Sequence, residues 1–182
     1  MNPAKVYFTS DTHFGHRGVL RACARPWADI DQMDAALIAA WNATVPPDGF
    51  VFHLGDVSFR NRERTLPILA QLNGRKALIR GNHDEGMSAE CRAFFENVRD
   101  LYETKIMGRS VVMCHYPIES WRNIHHGAVH VHGHSHGSLV RLGKRLDVGV
   151  DCCLGYAPIS FGEVIRIADQ SPIQSRDHHQ PQ

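Results

Sequence analysis

Five apolar runs in this chain each stop at a polar motif. Residues 6–8 lead to Asp11 and His13 in DTH, and residues 50–54 to Asp56 in GDV. Residues 77–79 lead to Asn82 in GNHD, 111–114 to His115 in CHYP, and 129–131 to His134 and His136 in GHSH. Short apolar runs bounded by turn formers read as buried strands. In open α/β sheets, ligand sites form in the crevice beyond the carboxyl ends of the strands. The strand pattern and the polar motifs therefore point to one shared edge.

Between these runs, the spacing predicts a helix over 31–43, capped by Asp31, with Leu37, Ile38 and Trp41 on its apolar face. A second helix is predicted over 66–72, stopped by Asn73-Gly74 and holding Pro67 in its first turn. A third is predicted from Ser88, as its N-cap, to Glu96. The second half reads mostly as strands, at 111–114, 129–131, 146–150 and 164–167. Strand–helix alternation followed by strands predicts an α/β protein of two packed sheets, helices covering their outer faces. One domain is expected over 1–169. Residues 170–182 are polar and rich in Gln, and are expected to be a disordered tail.

Histidine is the compositional outlier: 13 of them stand beside a combined 19 Asp and Glu. Neutral imidazole is the commonest metal ligand, so the excess invites a metal reading. A net charge of +1 gives no general attraction to nucleic acid or anionic membrane. Five cysteines with no CxxC pair suit a reduced, cytoplasmic protein. No apolar run is long enough to span a bilayer, and with the first strand read from residue 5 no leader is expected.

Asp11, His13, Asp56, Asn82, His115, His134 and His136 are hard oxygen and imidazole donors of the kind that holds two catalytic cations. Asp11 and His13 are two residues apart, as are His134 and His136, a spacing that turns both side chains to one side of an extended segment. Asp56 has two oxygens with which to bridge two cations. One set is Asp11, His13, His136 and a share of Asp56. The other is Asn82, His115, His134 and the remaining share. Taken singly, each motif is weak; their order and their places at strand ends carry the argument.

DxH, GD, GNHD, a lone His after a strand, and GHxH, in that order over residues 5–167, resemble the calcineurin-like metallophosphoesterases. DTHFGH at the start resembles a compact bacterial and phage branch of that family. The resemblance implies a four-layer α-β-β-α sandwich and a metal-dependent phosphoesterase; the small chain, with no extra domain to form a lid over the site, favours a phosphodiesterase, whose substrate carries a second ester group. It implies two divalent metals, Mn favoured over Fe, Ni or Zn, and a bridging hydroxide that attacks phosphorus. His83, beside Asn82, is then the general acid that protonates the leaving oxygen. Protein phosphatases of the family carry GDxVDRG where this chain has GDVSFR. Phe59 stands at the second Asp, which leaves Asp84 as one candidate to orient His83. Arg60 stands at the arginine position and is a candidate to hold a phosphate oxygen.

His16 is a second candidate for substrate contact, although such a residue more often fixes a loop. Arg17, Arg80 and Arg122 flank the motif loops, where arginines are usually solvated. The arginines at 60, 62 and 64 invite a nucleic-acid reading, but no aromatic residues are interleaved with them. Tyr116 and Trp121 read as packing residues. A phosphate ester is the expected partner, with a phosphomonoesterase or a nuclease as alternatives. A non-catalytic interaction scaffold on the same fold is the alternative of another class.

Overall fold

Alternate residues of the strands face two different cores, and this sorting sets the architecture. The computed structural model describes residues 2–59 and 62–174. The first sheet contains β1 (Val6–Thr9), β2 (Phe50–His53), β3 (Arg75–Ile79), β4 (Val98–Arg99) and β9 (Ile159–Ser160), in the order β4-β3-β2-β1-β9. All pairs are parallel except β1 with β9. The second sheet contains β5 (Leu101–Ile106), β6 (Arg109–Cys114), β7 (Val129–His132) and β8 (Arg145–Asp147), in that order. There β5 and β6 form an antiparallel hairpin, and the other pairs are parallel.

Phe8, Phe52 and Ile79 from the first sheet meet Val111, Met113, Val129 and Val131 from the second in a buried core. Tyr7, Val51 and Leu78, from intervening positions, face α1 (Arg17–Ala22), α2 (Ile30–Thr44), α3 (Arg62–Gln71) and α4 (Ala89–Arg92). The outer side of the second sheet is covered more thinly. Trp121, Ile124 and Ala128, from the loop after β6, pack on Val112. Two mixed sheets with helices outside match the expected fold class.

Local chemistry shifts several expected boundaries. Helix α2 is capped by Asp29 rather than Asp31: the Asp29 carboxylate accepts from the N–H groups of Asp31 and Gln32 at 3.0 and 2.9 Å. Helix α3 starts at Arg62, so Pro67 is inside it, not in its first turn. Tertiary packing of Thr65, Ile68 and Leu69 holds the helix through the proline. The run 164–167, expected as a strand, belongs to α5 (Phe161–Ala168). Ser160 Oγ caps α5 by accepting from Glu163 N–H, and Phe161, Val164 and Ala168 are buried at helical spacing. The Ser-x-x-Glu signature outweighs the β-branched content there. Strand β5 escaped the sequence reading because it holds no apolar run: its outward residues Leu101, Glu103 and Lys105 are exposed and its inward ones include Thr104.

All five cysteines are free thiols. Among the described residues no helix is long and apolar enough to cross a membrane. Ile173 lies beside Gly127. Residues 175–182, the bulk of the expected disordered tail, lie outside the described residues.

Candidate metal centre

Strand register delivers the motif loops to one edge. Thr9 pairs with His53 and His53 with Leu78, so the loops after β1, β2 and β3 emerge side by side. The second sheet is joined to this edge directly. His115 Nδ1 lies 2.7 Å from the Leu54 carbonyl, and the His134 N–H donates to the Asp11 carboxylate at 3.0–3.1 Å. All seven expected donors gather here. His13, Asp56, Asn82, His134 and His136 line a cleft of 510 Å³, together with His16 and His83. Asp11 and His115 are fully buried.

The ligand pairs are not extended, contrary to expectation. Asp11, His13, Asp56, His134 and His136 all have left-handed backbone, with φ from 46° to 66°. Each such residue costs of order 1–3 kcal/mol and persists only where its surroundings over-determine it. Hydrogen bonds between the loops do so: Asp11 N–H to the Gly55 carbonyl at 2.9 Å, and His13 N–H to the Asp56 carbonyl at 3.0 Å. Below them, His53 Nδ1 accepts from Gly55 N–H, and His53 Nε2 meets Thr12 Oγ1 at 3.0 Å.

Oδ2 of Asp56 is 3.6 Å from His13 Nε2 and 3.6 Å from His115 Nε2. Its Oδ1 is already committed, accepting the His83 N–H at 2.8 Å. One oxygen, rather than two, therefore faces both halves of the cluster. Around the first half, Asp11 Oδ1 is 4.0 Å from His13 Nε2 and 3.9 Å from His136 Nε2. In the second half, Asn82 Oδ1 is 3.2 Å from both His115 Nε2 and His134 Nδ1.

The donor set fits cations. Nε2 of His13 is buried and has no hydrogen-bond partner. Burial, with His136 and Arg25 nearby, pushes the His13 imidazole down to about 2, so the ring is neutral. It faces carboxylate oxygens at separations too long for hydrogen bonds. Two donors about 2.1 Å from one cation at a tetrahedral angle lie about 3.4 Å apart, close to these spacings. Burial also raises the Asp11 carboxyl to about 7, with Asp147 and Asp56 adding to the rise and His136 opposing it. The glycines of the motifs admit this crowding. A Cβ on Gly133 would fall 2.0 Å from Ser10 Oγ and 2.3 Å from Asp11 Oδ2.

His83 borders the cleft, its Nε2 4.0 Å from Asp56 Oδ2. Asp84 does not orient it. The Asp84 carboxylate is taken up by the N–H groups of Asp56, Val57 and Gly81 at 2.8–3.0 Å, tying the GD loop to the GNHD loop. Phe59 is half exposed and stacks on His16, with centroids 4.2 Å apart, while His83 lies 5.6 Å from its ring. His16 also places Nδ1 3.2 Å from His13 Nδ1. Trp121 is buried, as read from the sequence, but Tyr116 is exposed and lies edge-on to His115 and His134. Arg80 is paired with Asp100 and Arg122 with Glu103. Arg60 lies outside the described residues.

Sequence reasoning missed three residues that support the donors. Asp147 accepts from Ser135 Oγ and from the N–H groups of Gly137 and Gly149, shaping the GHSH loop. Asp151 accepts from His136 Nδ1, and Arg25 reaches Asp151 and the carbonyls of Asp11 and Thr12. Asp151 follows the apolar run 146–150, so the strand-end rule that marked the other donors could have marked it too.

An uncharacterized protein of Methanocaldococcus jannaschii, MJ1445, is 28% identical over 182 residues, covering 95% of this chain and 96% of its own. The Gene 66 protein of Mycobacterium phage D29 is 29% identical over 187 residues, covering 86% and 92%. A protein of unknown function from Aquifex aeolicus, AQ665, has a similar fold, with TM-score 0.71 and 24% identity over 89% of this chain and 98% of that one. The family model for calcineurin-like phosphoesterases matches residues 4–142, a span that takes in all seven donors and His83. With the fold, the donors and that match in agreement, this chain belongs to the calcineurin-like phosphoesterase family.

Proposed function

We propose that this protein is a phosphodiesterase working through two divalent cations, Mn(II) favoured. The observation that carries the reading is Asp56 Oδ2, 3.6 Å from imidazoles of both halves of the cluster. Asp11, His13 and His136 would hold one cation, and Asn82, His115 and His134 the other, with Asp56 shared. Two cations so held would activate water and neutralise charge on the phosphoryl oxygens.

The chain's own groups do the rest. Backbone N–H of His83 holds Asp56 by Oδ1, which leaves Oδ2 free to serve both halves. The imidazole of His83, partly exposed beside the cleft, would give a proton to the departing ester oxygen; its position on the cleft wall supports this role. His16 lines the same wall and is a candidate for substrate contact, backed by Phe59. Arg80 and Arg122 are neutralised by Asp100 and Glu103, so neither supplies a spare cation for a doubly charged monoester. An open cleft of 510 Å³ has room for a second ester group.

Protein loaded with Mn(II) is expected to hydrolyse bis-(p-nitrophenyl) phosphate faster than p-nitrophenyl phosphate. Faster turnover of the monoester reverses the preference, and hydrolysis of neither removes the enzymatic reading.

A further inference from the structure

We propose that Arg25 and Asp151 are a positioning pair that locks the Asp11–His13 loop to His136. The inference rests on the metal-centre reading above and goes beyond it, since neither residue is among the seven candidate donors.

Arg25 and Asp151 are separated by 126 residues, and their side chains meet beneath the cluster in a two-point ion pair. Nε and Nη2 of Arg25 donate to the two Asp151 oxygens, both at 2.8 Å. The guanidinium has donors left over, and they go to the donor loop. Nη2 donates to the Asp11 carbonyl at 2.6 Å and Nη1 to the Thr12 carbonyl at 3.0 Å. Asp11 is one of the residues with left-handed backbone, φ 57°, so Arg25 grips the chain at a strained turn.

The other end of the pair sits on His136. Oδ2 of Asp151 accepts from His136 Nδ1 at 2.6 Å. That bond commits the Nδ1 proton and leaves the Nε2 lone pair facing Asp11 Oδ1, 3.9 Å away. A carboxylate behind a ligating histidine sets its tautomer and ring orientation. Here one guanidinium supports the donors of two distant loops at once. The Arg25 side chain is fully buried and that of Asp151 nearly so, so the contacts are shielded from water.

A buried ion pair could serve stability alone, and the test separates the two roles. Replacing both partners of a buried pair by apolar residues often keeps or raises stability, whereas removing one destabilises. The double variant Arg25→Leu with Asp151→Leu leaves no lone buried charge but strips the Asp11 and Thr12 carbonyls of their donor, so it is expected to fold and to melt below the wild-type temperature. Titration of Mn(II) into the metal-free proteins is expected to show an affinity roughly 10- to 100-fold lower in the double variant, the usual cost of losing such support. Wild-type Mn(II) affinity in a folded double variant overturns the proposal.

Asp151→Asn keeps the size of the side chain and an acceptor for Arg25, and guards against a double variant that does not fold. It is expected to lose at least about 10-fold in Mn(II) affinity; unchanged affinity overturns the proposal as well. Wild type that binds no Mn(II) overturns the metal centre and the pair together. Metal binding lost only in the variants supports the pair.

Discussion

The backbone N–H of His83 donates to Oδ1 of Asp56 at 2.8 Å. One residue thus fixes the Asp56 carboxylate through its main chain and offers its imidazole to the cleft. The two roles separate on mutation. His83→Ala keeps the N–H, so metal content measured by elemental analysis is expected to stay near wild type. Turnover of bis-(p-nitrophenyl) phosphate is expected to fall roughly 100- to 10,000-fold, the usual worth of general-acid help. Metal lost along with activity would make His83 a ligand.

Gly133 is held to glycine by crowding rather than by φ. A methyl group there would overlap Ser10 Oγ and Asp11 Oδ2, at 2.0 and 2.3 Å. Gly133→Ala is expected to destabilise the metal-free fold by about 1–3 kcal/mol, as overpacking does. It should also weaken Mn(II) uptake, because Asp11 has to move. Thermal unfolding of the metal-free variant and a Mn(II) titration check the two parts separately.

Metal uptake should depend on pH through Asp11. Burial raises its carboxyl to about 7 in the metal-free protein, so a proton occupies it at lower pH. His136 is raised as well, chiefly by its hydrogen bond to Asp151. A cation must displace the Asp11 proton. Mn(II) affinity is expected to fall as pH drops below 7, with proton release on binding. Titrations in buffers of different ionisation enthalpy would show it, and a flat profile from pH 5 to 8 would contradict it.

His53 and His130 should make the metal-free fold acid-sensitive. Burial lowers each to about 3 from an ordinary 6.5. Both are buried neutral: His130 Nδ1 meets the Val112 carbonyl at 3.0 Å, and its Nε2 accepts from Ile118 N–H at 3.2 Å. The folded state therefore binds fewer protons than the unfolded state between pH 6.5 and 3. The stability these rings contribute is complete above pH 6.5 and is lost as pH falls toward 3. Each contributes a slope of up to about 1.4 kcal/mol per pH unit in that range. Urea unfolding at pH 7, 6 and 5 should show the loss, and His130→Gln should flatten it.

Phe59 shows where motif reading stops. Its place in GDVSFR says that an orienting carboxylate is missing, but not what fills the space. In the fold Phe59 stacks on His16, which meets His13, so an aromatic stack borders His83 where the motif has an acid. Helix α5 shows the same limit in local structure. Val164, Ile165 and Ile167 favour a strand, yet Ser160 caps a helix whose buried residues cover the gap between the sheets.

The chain of amino acids alone determined the five strand runs that end at the motifs, and the types and order of the candidate donors, because apolar periodicity and side-chain chemistry are local properties. It therefore marked the seven candidate donors and His83 that the fold brings to one edge. Tertiary structure decided the rest. It put left-handed turns at five donors, one oxygen of Asp56 between both halves, Asp84 on backbone N–H groups, and Arg25 against Asp151. These are contacts between residues far apart in sequence. They exist only once burial has excluded water and left each polar group to find its partner inside the protein.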